Sequence, residues 1–272
     1  MYEMMPGCSG DIDGISILVG TARCNANCRE CAGRQHRKSA PQKDGELDIA
    51  RLTQVLRFCH ARNCHYVTLT GCGEPTLSPV SLTMVLETIR QFTLDGIKFD
   101  PVNLYTNGIR IGTDAEFCDK FLPQWHWLGL TSVYVSTYSD NPSLNADAFR
   151  VNAYPSFGII FTRLKDYGLK VRASVILKNG YTDTPEKFQA LSERFFRMGV
   201  DNVTAWPLKD EDDSISPLAP SPSVLTVINE YAKTSNGRIR VLLGDSRTKE
   251  SLARKIALFQ NGEISDVWCA RK

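Results

Sequence analysis

Three cysteines stand close together near the start of the 272-residue chain, in the segment CNANCRECAG. Cys24, Cys28 and Cys31 are separated by three and then two residues. Thiolates bind zinc and iron–sulfur clusters, but structural zinc sites use four protein ligands. Three thiolates can hold three irons of a four-iron cluster and leave one iron open to a small molecule. The spacing therefore indicates an iron–sulfur site with a free coordination position.

The remaining composition narrows the class of protein. Nine cysteines in a chain whose first residues, MYEMMPGCSGDID, lack a signal-peptide pattern indicate free thiols and metal ligands rather than disulfides. We find no apolar run of about 18 residues, so we expect a cytoplasmic protein without membrane contact. The formal net charge of +2 gives no electrostatic reason to expect a nucleic-acid partner.

Short β-type runs alternate with helical patterns along nearly the whole chain. Six runs start at positions 14, 65, 102, 131, 170 and 202: GISILVG, HYVTLTG, VNLYTNG, TSVYVSTYS, KVRASVIL and NVTAWPL. Six β-α units in series predict a parallel sheet with helical crossovers, and apolar runs such as VTLT suit a sheet that is buried on both faces. In such folds ligands bind at the carboxyl ends of the strands. We therefore expect the chemistry in the loops that follow the strands.

Several elements carry end signals. Thr184, Pro185 and Gly199 predict the N-cap, the first position and the C-terminal end of one helix. Thr113 with Glu116 predicts a capping box at the start of another. A further strand, RIRVLLG from 238, and a helix from about 246 come next. The segment LFQNGEISDVWCARK could then form a short strand or tail at the open end of a barrel.

Two more motifs fall at the ends of the second and third strands: TGCGEPT at 70–76 and YTNG at 105–108. Together with the three cysteines after the first strand, they resemble the radical S-adenosylmethionine (radical SAM) superfamily. Gly73, Glu74 and Pro75 match the G-G-E-P segment of that superfamily, whereas Cys72 replaces one of its glycines. The resemblance covers the strand–helix series from about 14 to 208.

The resemblance implies an α/β fold, a partial (β/α)6 TIM barrel. Residues 1–208 would form the radical SAM core, and residues 209–272 a C-terminal extension that completes or caps the barrel. It also implies two cofactors, a [4Fe-4S] cluster on the three cysteines and S-adenosylmethionine (SAM) on the open iron. Reductive cleavage of SAM would yield a 5′-deoxyadenosyl radical that abstracts hydrogen from substrate. A donor such as flavodoxin or ferredoxin would supply the electron.

The resemblance further implies roles for individual residues. Glu74 would accept hydrogen bonds from the methionine ammonium, and Asn107 would contact the methionine end. Glu30 stands where the family commonly has an aromatic residue, so its backbone rather than its side chain would meet the adenine. Cys269 is a candidate hydrogen-atom donor or radical relay. The other expected SAM-site positions are Gly71, Gly73, Pro75, Ser136, Arg172 and Ser174.

The residues alone are compatible with other functions. The substrate is expected to be a small molecule or a peptide, but a glycyl-radical-enzyme activase and a nucleobase-modifying synthase of the same superfamily are also compatible. A zinc-binding interaction module is the alternative of another class. It would take Cys8, His36 or Cys72 as a fourth ligand, and it leaves GCGEP unexplained.

Overall fold

A computed structural model describes residues 11–210, 214–243 and 255–265. Nine strands form one sheet in the order β7-β6-β5-β4-β3-β2-β1-β8-β9. All neighbouring pairs from β7 to β8 are parallel, and β9 is antiparallel to β8. Within these ranges the edge strands β7 and β9 do not pair, so the barrel is partial, as predicted. The strands are β1 Gly14–Leu18, β2 Tyr66–Thr70, β3 Val102–Thr106, β4 Ser132–Thr137, β5 Lys170–Leu177, β6 Asn202–Pro207, β7 Ile239–Val241, β8 Lys255–Leu258 and β9 Ile264–Ser265.

Helices connect the parallel strands and cover the outside of the sheet. Two short 3-10 helices, Arg34–Ser39 and Pro75–Leu77, lie in the loops after β1 and β2. None of the helices in the described part of the chain is long and apolar enough to cross a lipid bilayer. The α-helices are α1 Ile49–His60, α2 Pro79–Leu94, α3 Ile109–Thr113, α4 Ala115–Trp127, α5 Pro142–Phe149, α6 Phe157–Asp166, α7 Pro185–Arg197 and α8 Pro222–Lys233.

The two faces of the sheet differ in chemistry. Val67, Leu69, Val133 and similar alternate residues are buried in the main apolar core. The residues between them on the same strands are largely polar or aromatic and face the barrel interior: Ser16, Thr68, Thr70, Tyr105, Ser136, Trp206 and Lys255. Ser16, Thr68 and Ser174 are buried, so the interior face is covered as well, as expected for a parallel sheet. That face is largely polar, because the strands alternate apolar and polar residues with a period of two.

The helix-end signals had mixed outcomes. The prediction for α7 is confirmed: Thr184 Oγ1 accepts from Lys187 N at 3.3 Å, and Gly199 follows the helix at φ +87°. The capping box at Thr113 is wrong, because Asp114 caps α4 by accepting from Phe117 N at 2.9 Å. The Thr113 hydroxyl instead donates to Ile109 O within α3.

The C-terminal part adds three strands, β7, β8 and β9, to the six of the predicted β-α series. β7 lies within the predicted RIRVLLG strand, whereas the helix predicted from about 246 falls outside the described residues. Strand β8 pairs in parallel with β1, with Gly14 opposite Lys255. The division of the chain at residue 208 stays a prediction, although β7 and β8 lie in the same sheet as the six preceding strands.

Candidate functional site

The loop after β1 carries all three predicted ligands. Cys24, Cys28 and Cys31 are free, half-buried thiols. The pKa of Cys24 is raised to about 11 and that of Cys28 to about 12, mainly by burial and in smaller part by charge on the neighbouring cysteines. Three thiols this close together repel one another as thiolates, so bound metal cations would favour their deprotonation.

The cluster loop, residues 19–33, is held by the loop after β2. Glu74 N donates to Arg23 O at 2.9 Å, and Thr21 N donates to Ser78 Oγ at 3.0 Å. A Cβ on Gly73 would lie 2.2 Å from Arg23 O, and one on Gly71 would lie 3.1 Å from Val19 O. The glycines of GCGEP therefore permit direct backbone contact between the two loops.

The Glu74 carboxylate ties the β2 loop to the end of β3. Its side chain is 3% exposed, and Oε1 accepts from Thr76 N at 3.0 Å and Thr76 Oγ1 at 2.8 Å. Thr106 Oγ1 donates to the same oxygen at 2.6 Å, and Asn107 N donates to Oε2 at 2.8 Å. Burial raises the pKa of Glu74, while these hydrogen bonds oppose the rise. Pro75, also buried, then begins a 3-10 helix.

Asn107 joins the end of β3 to the cluster loop. Its Nδ2 donates to Asn25 Oδ1 at 2.7 Å and lies 3.9 Å from Cys24 Sγ. Its Oδ1 accepts from Ile109 N at 2.9 Å, and Tyr154 Oη donates to its carbonyl at 2.8 Å. The side chain is therefore fixed beside the first cysteine.

Two arginines of the first 3-10 helix face the cysteines. Arg37 Nη2 lies 3.9 Å from Cys31 Sγ, and its Nε donates to Cys72 O at 3.4 Å. Arg34 Nη2 donates to Cys28 O at 2.6 Å. The positive charge of Arg37 lowers the pKa of the Cys24 and Cys72 thiols, against the larger raising effect of their burial.

Glu30 belongs to the cluster loop and borders the barrel interior. Its carboxylate pairs with Lys178 Nζ at 3.0 Å, just after β5. Glu30 and Ala32 line a cavity of about 400 Å³ that extends into the barrel. Ser136, at the end of β4, lines the same cavity. The cavity therefore connects the cluster loop with the strand interior.

The structure places the two β5 candidates inside the barrel. Ser174 is fully buried opposite Ser136 in the strand register, and its Oγ has no hydrogen-bond partner among the described residues. Arg172 lies nearer the amino end of β5 and donates from Nη1 to Tyr134 Oη at 2.5 Å. The structure brings Arg172 to a tyrosine on the neighbouring strand and not to the loops that hold Glu74 and Asn107.

The two described candidates for a fourth zinc ligand, His36 and Cys72, do not form a metal site with the three cysteines. His36 is buried with its ring 4.8 Å from that of Phe259, and Cys72 Sγ lies 3.4 Å from Gln260 Nε2. Across the described ranges, no three His, Cys, Asp or Glu side chains converge on a single ion position. A four-iron cluster needs no such convergence, because each thiolate binds a different iron. Cys8 and Cys269 lie outside the described residues.

Sequence reasoning missed several residues that organise the site. Thr106, Asn25, Ser78 and Arg37 hold Glu74, Asn107 and the cysteine loop in place. Thr106 lies within the YTNG motif, next to Asn107, so the sequence alone indicates that it is close to the site. The partners Asn25 and Ser78 become visible only when the loops are brought together in space.

Known proteins share sequence with parts of the chain, although no family model matches it. The probable dual-specificity RNA methyltransferase RlmN of Streptococcus agalactiae is 24% identical over 189 residues, which cover 66% of this chain and 49% of the relative. The GTP 3′,8-cyclase of Klebsiella pneumoniae is 28% identical over 116 residues, which cover 43% of this chain and 31% of the relative. The chain thus spans half or less of the length of these relatives.

Solved structures share the fold over nearly the whole chain. Streptococcus suis SuiB bound to S-adenosylmethionine matches 95% of this chain and 58% of its own, with a TM-score of 0.66 and 14% identity. A radical SAM methyltransferase from Sphaerobacter thermophilus matches 94% of this chain and 70% of its own, with a TM-score of 0.58 and 18% identity. In sequence the chain is thus similar to these two relatives, and it shares its fold with SuiB bound to S-adenosylmethionine and with the radical SAM methyltransferase.

Proposed function

We propose that the protein binds a [4Fe-4S] cluster through Cys24, Cys28 and Cys31 and cleaves SAM reductively at that cluster. The observation that supports this most is the placement of three free, mutually interacting thiols on the loop after β1. Arg37 and Asn107 each place an N–H group 3.9 Å from a sulfur, Arg37 at Cys31 and Asn107 at Cys24. Such donors fit a cluster, whose potential depends on hydrogen bonds to its sulfurs.

When bound, the cluster would supply the electron that cleaves the carbon–sulfur bond of SAM and so yields the 5′-deoxyadenosyl radical. Glu74 Oε2 accepts one hydrogen bond within the protein, from Asn107 N, and keeps acceptor capacity for the methionine ammonium. Asn107 orients the loop beside Cys24, and Gly71, Gly73 and Pro75 set the backbone path around Glu74. Glu30 and Ser136 border the space in which the rest of SAM would lie.

The substrate in this proposal is a small molecule or a peptide that enters the cavity beside the cluster loop. A cavity of about 400 Å³ suits a small ligand or a peptide side chain. SuiB has been solved with its precursor peptide SuiA, which supports the peptide option by analogy of fold alone. An external one-electron donor such as flavodoxin or ferredoxin completes the proposed reaction.

The proposal is tested by iron and sulfide analysis of protein reconstituted without oxygen. We expect about four irons and four sulfides per chain, and their loss when Cys24, Cys28 and Cys31 are all changed to alanine. Cys118→Ala, which removes a buried thiol in α4, is the matched control and should keep the cluster. Zinc alone in the wild-type protein, or iron retained by the triple variant, would overturn the assignment.

A further inference from the structure

The strands that line the barrel interior contain basic residues but no acidic ones in the described part of the chain. None of the nine described strands contains an Asp or Glu, although Arg172 and Lys255 both lie on them. Glu30 is the acidic residue that lines the interior cavity, and it is already paired with Lys178 at 3.0 Å. A cavity with this lining favours a ligand that carries negative charge.

Lys255 is the first residue of β8, and its side chain lines the cavity. Its Nζ lies 3.3 Å from Thr68 Oγ1 and 5.7 Å from the centre of the Tyr66 ring. It forms no ion pair with any Asp or Glu of the described residues. Burial lowers the pKa of this ammonium to about 8, which reflects the cost of enclosing a charge without a counter-ion.

Aromatic rings form another part of the interior. Tyr105 and Tyr134 stack with centroids 4.5 Å apart, and Trp206 lies nearly parallel to Tyr105 at 6.0 Å. Tyr105 and Trp206 both line the cavity. Ring faces of this kind contact planar groups favourably.

Two interior polar atoms lack partners. Arg172 Nε and Ser174 Oγ are buried and make no hydrogen bond to any described residue. Buried polar atoms in proteins are normally paired with protein, water or ligand. These atoms, both on β5, indicate that the interior is built to hold something polar.

We propose that Lys255 binds an oxyanion, a carboxylate or a phosphate, on a substrate whose planar part packs against Tyr105 and Trp206. This inference rests on the proposed function, since it identifies the chemistry of the molecule that the cavity presents to the cluster loop. The bound group would supply the counter-ion that Lys255 lacks. Glu30 and Ala32 border the opposite, cysteine-bearing side of the same cavity, where the reacting end of the substrate would lie.

The test is calorimetric titration of the anaerobically reconstituted protein with two anionic probes, benzoate and inorganic phosphate, and with neutral benzamide. We expect benzoate or phosphate to bind the wild-type protein, and Lys255→Met to weaken that binding roughly 10- to 100-fold. Stronger binding of benzoate would indicate a carboxylate, and stronger binding of phosphate a phosphoryl group. Lys170→Met changes an exposed lysine at the start of β5 and should leave both affinities unchanged.

Unfolding of the same variants in urea separates a binding role from a structural one. Lys255→Met removes a largely enclosed charge that has no acidic partner among the described residues, so the variant should be at least as stable as the wild-type protein. Equal anion affinity in wild type and Lys255→Met, or no anion binding to wild type, would overturn the inference. The iron content of each preparation reports separately on the proposed function. Wild-type protein without a cluster contradicts that function. Anion affinity that is unchanged by Lys255→Met, in protein with an intact cluster, contradicts only the role of Lys255.

Discussion

The buried Glu74 carboxylate links the loop after β2 to the end of β3, where it accepts from Thr106 Oγ1 and Asn107 N. Two further hydrogen bonds, from the backbone N and the hydroxyl of Thr76, fix it within its own loop. The G-E-P match implies a SAM contact for Glu74 but assigns no role to Thr76 or Thr106. The carboxylate is therefore a structural link as well as a proposed ligand contact.

Glu74→Gln is expected to destabilise the protein. The amide NH2 cannot accept the bonds that one carboxylate oxygen receives, and leaving buried donors unpaired costs about 1–3 kcal/mol. Urea unfolding of iron-free protein under reducing conditions should show a loss of that size. Glu87→Gln, on the exposed side of α2, is the control and should be neutral. Equal stability of the Glu74 variant and wild type would show that the carboxylate does not hold the loops together.

Lys255 should make stability depend on pH in a defined direction. Its pKa is lowered by burial from its ordinary value of 10.5 to about 8 in the folded protein, so the unfolded chain binds more protons between these pH values. Stability therefore rises with pH across that window. The groups that face it are the Thr68 hydroxyl, the Tyr66 ring and the Cys64 thiol, and the Tyr66 pKa is raised to about 12.

The measurement is the difference in unfolding free energy between Lys255→Met and wild type from pH 7 to 10.5. The advantage of the variant at pH 7 should shrink by up to about 3 kcal/mol, since one pKa unit corresponds to about 1.4 kcal/mol. The difference in unfolding free energy between Lys170→Met and wild type should not change with pH. A pH-independent difference for Lys255→Met would contradict a lowered pKa.

Among the secondary-structure elements, the positions of the strands could be predicted from the sequence, but the polarity of the barrel interior was overlooked. Runs such as YVTLT and KVRASVIL located β2 and β5 correctly. Apolar and polar residues alternate within these same runs, and such alternation indicates a strand with one apolar face and one polar face. Helix ends were predictable where the residue types were unambiguous, as at α7. They failed at α4, where Thr113 was predicted as the cap and the next residue, Asp114, takes that position.

Contact between the loops after β1 and β2 depends on Gly73. Gly73→Ala would place a methyl group 2.2 Å from Arg23 O, so the two backbones must separate. We expect lower iron incorporation on reconstitution, because the cysteine loop loses its support. Gly158→Ala in α6 is the matched control, since its nearest neighbour would lie 3.6 Å away. Full iron content in Gly73→Ala would show that the loops adjust without cost to the cluster site.

For the whole molecule, the series of β-α units was enough to predict a parallel sheet with its site at the carboxyl ends, and the resemblance to the radical SAM superfamily implied the partial barrel. Right-handed crossovers place those ends on one side, which brings Cys24, Glu74 and Asn107 together. β8 was not predictable in this position, because four residues far from β1 in sequence carry no signal for parallel pairing with it. Lys255 was missed for the same reason.

Reductive cleavage of SAM at the three cysteines can be measured as 5′-deoxyadenosine, by chromatography after anaerobic incubation of dithionite-reduced, reconstituted protein with SAM. We expect wild type and Cys118→Ala to form 5′-deoxyadenosine. We expect none above background when Cys24, Cys28 and Cys31 are alanine. Wild-type protein that holds four irons and yields no 5′-deoxyadenosine, or a triple variant that still yields it, would rule out this function.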